Sequence, residues 1–430
     1  MIRLEEHKHE TENKAIEIAP LPATVVIPVS QHLGKPLDDI KVKAGDLVLR
    51  GQCLATSDKG VFAPVHASVS GTVKAVAMQP HPVLGSSRAI VIESDGKDTP
   101  CPGLAPRSPE AVDGMSVEEL RRLVFEAGIV GLGGATFPTH IKLSPRQPID
   151  VFILNGAECE PYLTTDYRLM VEKTDEIVTG LKLILKILQP KRCIIAIEDN
   201  KPEAIRLMRE RARAFAWDVA VLKSAYPQGG EKQIIKSCLG REVPSGKLPF
   251  DIGVVVQNVG TVYAVYEAVY LGKPLYERVM TVAGPCVTRP KNLLVRLGTR
   301  VRDLAQACGP MIREPQKIVM GGPMMGIAQF TMDTPVIKGS SGVLFFDEAA
   351  VEEQREEVCI RCGECVQNCP MGLNPSLLSL ALSRDRLDLA EAYGIMDCIE
   401  CGLCAYACPG RRNIVQAIKT AKARIKSGKK

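Results

Sequence analysis

Long apolar runs are missing from this chain. No stretch of 18 or more apolar residues occurs, and the greasiest segment, Leu181 to Leu188, is interrupted by Lys182 and Lys186. A membrane span is therefore not expected, although the chain could lie against a membrane or dock on a membrane partner. Strong charge is missing too: the formal net charge is +5 over 430 residues, so no bulk field argues for nucleic acid as a partner. Aromatics amount to 4%, and Trp217 is the only Trp. The sequence opens without a signal-peptide pattern, which argues against reading its 15 cysteines as the disulfide framework of a small secreted domain. A reducing, cytoplasmic compartment is the expectation.

Eight of those cysteines form two runs near the C-terminus. The first is Cys359-x2-Cys362-x2-Cys365-x3-Cys369-Pro370 and the second is Cys398-x2-Cys401-x2-Cys404-x3-Cys408-Pro409. Each is the bacterial ferredoxin run, whose fourth Cys ligates the other cluster. Three thiolates from one tight loop cover three corners of a cubane, and the fourth must come from across the fold. On that pattern Cys359, Cys362, Cys365 and Cys408 hold one [4Fe–4S] cluster, and Cys398, Cys401, Cys404 and Cys369 hold the other. Zinc ribbons use paired CxxC motifs instead. The 28 residues between Cys369 and Cys398 carry helical spacing (Leu377, Leu378, Ala381, Leu387, Ala390). This connection is longer than a ferredoxin hairpin and predicts an α-helical ferredoxin domain. Glu348 to Val358 reads as an acidic helix leading into the first run. After Pro409 the tail has eight Lys/Arg and no acid, which fits a solvated basic end better than a lipid contact.

The remaining text divides by period and punctuation into an N-terminal segment (1–35), a small β domain (36–95), a linker (96–113), an α/β domain (114–273), a further β domain (274–345) and the cluster domain with its tail (346–430). His7 and His9 fall in the first segment, which reads as a flexible terminus rather than a metal site. Short β segments punctuated by Gly45, Gly51, Gly60 and Gly71 build the small β domain. Its wording resembles a lipoyl/biotinyl-type barrel sandwich. Lys59 stands at the place of the modifiable Lys but lacks a flanking Met, so a structural role is expected. Ser116 and Glu119 form a capping box for a helix through Phe125. The glycine-rich stretch Gly131 to Lys142 follows, where clustered Gly lets backbone N–H groups approach a phosphate and Lys142 adds charge. A strand at Val151 to Leu154 ends in Asn155 to Pro161. Then come a helix at Thr174 to Leu188, a strand at Cys193 to Ile197, a helix at Pro202 to Phe215, a strand at Val219 to Leu222, and another strand from Ile252 to Val256 ending in Gln257 to Thr261. This alternation predicts a mostly parallel sheet that binds ligands at its C-terminal edge.

The stretches GLGGATFPTHIK, NGAECEP, YPQGGE and QNVGT resemble, in order and spacing, the flavin- and NADH-binding subunit of respiratory complex I. With the barrel-like N-terminus and the double ferredoxin run, the chain resembles the RnfC family of the Rnf electron-transfer complexes. The resemblance implies FMN with its phosphate cradled by Gly131, Gly133, Gly134 and Lys142. Asn155 and Glu158 would lie near the flavin, Asn258 and Thr261 would finish the pocket, and Phe137, Glu160 and Glu231 would face NAD(H). It also implies that residues from Tyr276 onward form a β-grasp domain of the soluble-ligand-binding (SLBB) type. Met320 to Gly326 is read as a Met-rich turn that fills a gap or contacts a partner. Ala157, Cys159, Gly230 and Gln257 depart from the family pattern. No residue is expected to serve as a nucleophile or acid–base catalyst.

A flavin can take a hydride pair and release electrons singly to cubanes. The implied activity is that of an NADH:ferredoxin-type oxidoreductase subunit of the translocase class. Its implied partners are membrane-embedded and ferredoxin-like subunits of one complex, with ferredoxin served indirectly. Its implied place is peripheral, on the cytoplasmic side of the inner membrane. Two alternatives remain open on the residues: an NADH-dependent cobalamin reductase of the diol-utilisation type, and a flavin-free electron-relay subunit.

Overall fold

The computed structural model describes residues 2–58, 60–351 and 356–428. Lys59, the candidate modifiable lysine, lies outside the described residues. The multidomain α/β architecture follows the sequence pattern, with differences at the N-terminus.

Two small sheets enclose the barrel-like domain. One has the order Leu47–Val48, Gly71–His81, Gly85–Ser94, Thr24–Pro28, and the other joins Asp39–Ile40, Cys53–Thr56 and Val65–His66. Thr24–Pro28 pairs antiparallel with Glu93 back to Ala89, so the domain starts well before residue 36. Its core is Val25, Ile27, Leu54, Val65, Val73, Ile90 and Ile92.

Residues 2–18 are a tied strap, contrary to the expectation of a flexible end. Ile2 pairs with Tyr226, and Ile16–Ile18 adds a parallel strand beside Lys291–Arg296. Between them Lys8 and Thr11 are buried at 6% and 1% exposure. Lys8 Nζ donates to the Glu158 carbonyl at 2.5 Å, and Thr164 Oγ1 donates to Thr11 Oγ1 at 2.8 Å. His7 stacks on Tyr162 rather than standing free for a metal.

The α/β domain carries the site. Its four strands lie in the order Asp218–Leu222, Arg192–Glu198, Val151–Gly156, Val254–Asn258, all parallel. Val151–Gly156, Arg192–Glu198 and Val254–Asn258 are largely apolar and covered on both faces, as parallel sheets require, while the edge strand Asp218–Leu222 is partly exposed. The Thr174–Leu188 helix buries Ile177, Leu181, Ile184 and Leu188 against one face, next to the Val259–Tyr270 helix. The helix Val117–Glu126 starts at the predicted box: Glu119 N–H donates to Ser116 Oγ, and Ser116 N–H to Glu119 Oε2. From Val151–Gly156 the chain winds outward through two strands and then returns to place Val254–Asn258 on the other side. The switch point therefore lies between Val151–Gly156 and Val254–Asn258, which fixes where a ligand crevice opens.

The β-grasp domain has the sheet order Ile16–Ile18, Lys291–Arg296, Glu277–Ala283, Gly342–Phe346, Lys317–Met320, Ile327–Gln329, with the helix Val301–Ala307 packed on it. The cluster domain is helical, with Pro375–Ser383, Leu387–Ala392 and Ile414–Lys426 around Leu378, Ala390, Ile395 and Ile418. The acidic helix expected over Glu348 to Val358 is a turn at 348–350, and 356–358 has no regular structure. Residues 352–355 of that stretch lie outside the described residues. The basic tail is partly paired: Arg412 with Glu356, Lys422 with Glu400 and Arg424 with Asp385.

Candidate functional site: a glycine-lined crevice beside two thiol sets

Asn155 and Asn258 end the two strands at the switch point and lie opposite each other in the parallel register. Each turns its side chain back on its own loop. Asn155 Oδ1 accepts from Ala157 N–H at 3.0 Å, while its amide donates to the Gly229 carbonyl at 2.9 Å. Asn258 Oδ1 accepts from Gly260 N–H at 2.8 Å and so caps the Val259–Tyr270 helix. The glycine-rich loop lies over this edge. It is closed by Gly131 N–H to the Phe137 carbonyl at 2.8 Å and anchored by Leu132 N–H to Thr261 Oγ1 at 2.9 Å. Gly133, Gly134 and Ala135 are exposed, and Gly133 approaches the Asn258 side chain. Gly134 has φ +103° with open space around it, a conformation that favours glycine. Phe137 is half-buried. Lys142 Nζ reaches Glu231 Oε1 at 2.5 Å and the Val256 carbonyl at 3.2 Å, and Glu231 opens the helix Glu231–Leu239.

The edge thus unites Gly131, Gly133, Gly134, Lys142, Asn155, Glu231, Asn258 and Thr261. Glu158 and Glu160 are turned to other partners. Glu158 accepts from Thr165 Oγ1, Asp166 N–H and Tyr167 N–H, capping the helix Thr165–Glu172. Glu160 accepts from the Met324 and Met325 N–H groups at 3.1 and 2.9 Å, and burial pushes its carboxyl above the usual range. The Met-rich turn is therefore held by the carboxylate that the resemblance placed at the dinucleotide.

Asp166 escaped sequence reading. It is half-buried with one oxygen on the Asn258 amide at 2.7 Å; desolvation and then the Glu158 carboxylate push its pKa up to about 7. Gln228 Nε2, Gln233 Oε1 and Gln257 Nε2, at the same edge or on the helix it opens, are buried without a hydrogen-bond partner. Orphaned polar atoms of this kind mark a place where a further group belongs. Exposed backbone N–H groups, one lysine and amide donors suit a phosphorylated, ring-bearing cofactor such as FMN.

The cysteines fall into two neighbourhoods. Cys365 feels Cys408, Cys359 and Cys362, whereas Cys398, Cys401 and Cys404 each feel Cys369. Burial pushes the Cys401 and Cys404 thiols up to about 11 and 12, a penalty that bound iron offsets by holding them as thiolates. Among the described residues no three His, Cys, Asp or Glu converge as on a single ion. A cubane needs something else, four sulfurs each on its own iron. The second set surrounds a cavity walled by Met371, Leu378, Ile399, Val415 and Ile418. Both sets fit [4Fe–4S] clusters.

Comparison with known proteins assigns the same parts. Residues 2–97 match the RnfC barrel sandwich hybrid domain, 124–267 the Nuo51 FMN-binding domain, 279–328 the SLBB domain and 352–409 the 4Fe-4S dicluster domain. The chain is 50% identical to a subunit of the proton-translocating ferredoxin:NAD(+) oxidoreductase complex of Clostridium ljungdahlii, over 97% of this chain and 92% of that one. It is 43% identical to the counterpart in the Na(+)-translocating complex of Acetobacterium woodii, over 97% and 94%. A solved NAD+-reducing [NiFe]-hydrogenase is similar in fold, with TM-score 0.52, 19% identity and coverage of 75% of this chain and 69% of that one. Fold and site define a flavin and iron–sulfur electron-transfer protein. The chain belongs to the RnfC family, whose members are components of ion-translocating oxidoreductase complexes. No helix among the described residues is long and apolar enough to cross a membrane.

Proposed function

We propose that this subunit exchanges electrons between NAD(H) and a ferredoxin-like partner, from the cytoplasmic face of the inner membrane, with membrane-embedded subunits of the same complex performing ion movement. The observation that carries the reading is the single edge on which the exposed Gly133–Ala135 loop, Lys142, Asn155 and Asn258 meet. FMN bound there supplies the change between a two-electron hydride donor and one-electron acceptors. Gly133 and Gly134 present backbone N–H groups on a loop that Gly131 closes through its bond to the Phe137 carbonyl, and Lys142 neutralises phosphate charge. Asn155, Asn258 and Thr261 set the height of the loop over the strand ends. Phe137 and Glu231 border the approach of the dinucleotide. Glu158 fixes the Thr165–Glu172 helix beside the pocket, and Glu160 fixes the Met324–Met325 turn. The eight cysteines hold the two clusters in crossed sets.

Anaerobic purification followed by iron, sulfide and flavin assays tests this, with about eight iron expected for two four-iron clusters. One flavin per chain and bleaching of the flavin band by NADH are also expected. Eight iron without flavin, or flavin inert to NADH, would refute the reading.

A further inference from the structure

A buried hydrogen bond that belongs to neither cofactor set joins the flavin-side turn to the second cluster loop. Tyr226 is 1% exposed and donates its hydroxyl to the Cys401 carbonyl at 2.7 Å. The same hydroxyl lies 3.4 Å from Glu160 Oε1, whose carboxylate holds the Met324 and Met325 amides. The Met324 carbonyl in turn approaches Gly402 so closely that a Cβ there would sit 2.7 Å away. The Tyr226 main chain is fixed from the other side, donating to the Ile2 carbonyl at 2.7 Å and accepting from Ile2 N–H at 3.2 Å. Tyr226, Cys401, Leu403, Met324, Ile399 and Cys159 pack as one apolar cluster.

The two cysteine sets differ in their surroundings. Cys401 and Cys404 are buried, whereas Cys359 and Cys362 are exposed beside Val358 and Ile360 at 82% and 70% exposure. Further bonds to the α/β domain also come from the second set's neighbourhood: Gln233 Nε2 to Met371 Sδ at 3.1 Å and Ser245 Oγ to Asp397 Oδ2 at 2.5 Å. Electron tunnelling weakens steeply with distance, and hydrogen bonding around the ligands tunes cluster potential.

We propose that Tyr226 is a positioning residue that docks the Cys401 loop on the α/β domain, making the Cys398/Cys401/Cys404/Cys369 cluster the relay next to the flavin and the other cluster the outlet. This rests on the proposed flavin and cluster function. FMN held at the Gly133–Gly134 edge would give up its electrons one at a time, each accepted by a cluster held by these cysteines, with the flavin's protons released to water. Tyr226→Phe keeps the ring and removes only the hydroxyl.

The test is stopped-flow absorbance with rapid-freeze electron paramagnetic resonance on the holoprotein mixed with NADH. Wild-type protein should show the second cluster reduced before the first. In Tyr226→Phe, flavin reduction by NADH and turnover with ferricyanide, which draws electrons from the flavin, should match wild type. Reduction of the second cluster should slow about tenfold, the scale of one lost buried hydrogen bond. Ser245→Ala, which breaks a solvent-exposed bond across the same contact, should leave that rate unchanged. An unchanged rate in Tyr226→Phe, or loss of iron from it, overturns the positioning role, as does reduction of the first cluster ahead of the second. Wild-type flavin that ignores NADH instead refutes the underlying functional reading.

Discussion

Lys142 and Glu231 form a 2.5 Å ion pair across the mouth of the crevice, each half-buried. Lys142 comes from the end of the glycine-rich stretch and Glu231 from the first turn of the Glu231–Leu239 helix. The cation that would meet a phosphate is thus held in place by an acid that a phosphate must displace or share.

Removing the cation should therefore act mainly on cofactor affinity. A hydrogen bond to a charged group is worth about 1.5–3 kcal/mol, so Lys142→Met should weaken FMN binding about ten- to hundredfold. Fluorescence titration of flavin-depleted protein measures this. Glu231→Gln should retain FMN and raise the KM for NADH, because the loss falls on the dinucleotide side of the crevice.

The crossed cysteine sets make a sharper statement. Cys369 closes the first run but lines one cavity with Cys398, Cys401 and Cys404, and Cys408 closes the second run but lies near Cys365. Cys369→Ala should remove or degrade the second cluster, and Cys408→Ala the first. Iron would fall from about eight to about four per chain in either case. Paramagnetic resonance of the reduced variants identifies which cluster is lost; a loss that follows sequence order instead would contradict the crossing.

Much of this organisation is legible in the sequence because it rests on short-range patterns. The cysteine spacing is dictated by cubane chemistry, and Thr174–Leu188 follows helical periodicity to the residue. The parallel sheet follows from alternating strands and helices, which also brought Asn155 and Asn258 to one edge. The strap at residues 2–18 was not legible. Its text is polar and charged, and it is ordered only by partners such as Glu158, Tyr226 and Asn292, far along the chain. Glu160 likewise looked like a ligand residue, because nothing local announces that Met324 and Met325 occupy it. Asp166 gave no signal, since its surroundings depend on Asn258 and Glu158 closing around it.

Close approach explains one glycine whose role the spacing leaves unstated. A Cβ on Gly229 would lie 2.2 Å from the Ala157 carbonyl, a backbone atom that cannot swing aside. Asn155 also donates to the Gly229 carbonyl, so a shift of this turn would move Asn155 as well. Gly229→Ala should lower flavin occupancy while leaving about eight iron per chain, because the cluster domain folds on its own core. Absorbance of released flavin against iron content separates the two effects.

The half-buried Asp166 should leave a signature in stability against pH. Its pKa is raised from an ordinary 3.8 to about 7, first by desolvation and then by Glu158, with the Asn258 amide, Arg278 and Lys201 acting in the opposite direction. The folded state thus holds a proton that the unfolded state has lost between about pH 4 and 7. Stability from this group is fully present below the unfolded value and declines as pH rises towards 7. Asp166→Asn keeps an oxygen that can accept from the Asn258 amide but cannot ionise. Relative to wild type it should gain stability progressively from pH 5 to pH 8. Thermal unfolding midpoints of both proteins across that range measure the difference. A variant advantage that is flat with pH, or that shrinks as pH rises, would mean that Asp166 is ionised throughout and that Arg278 outweighs its burial.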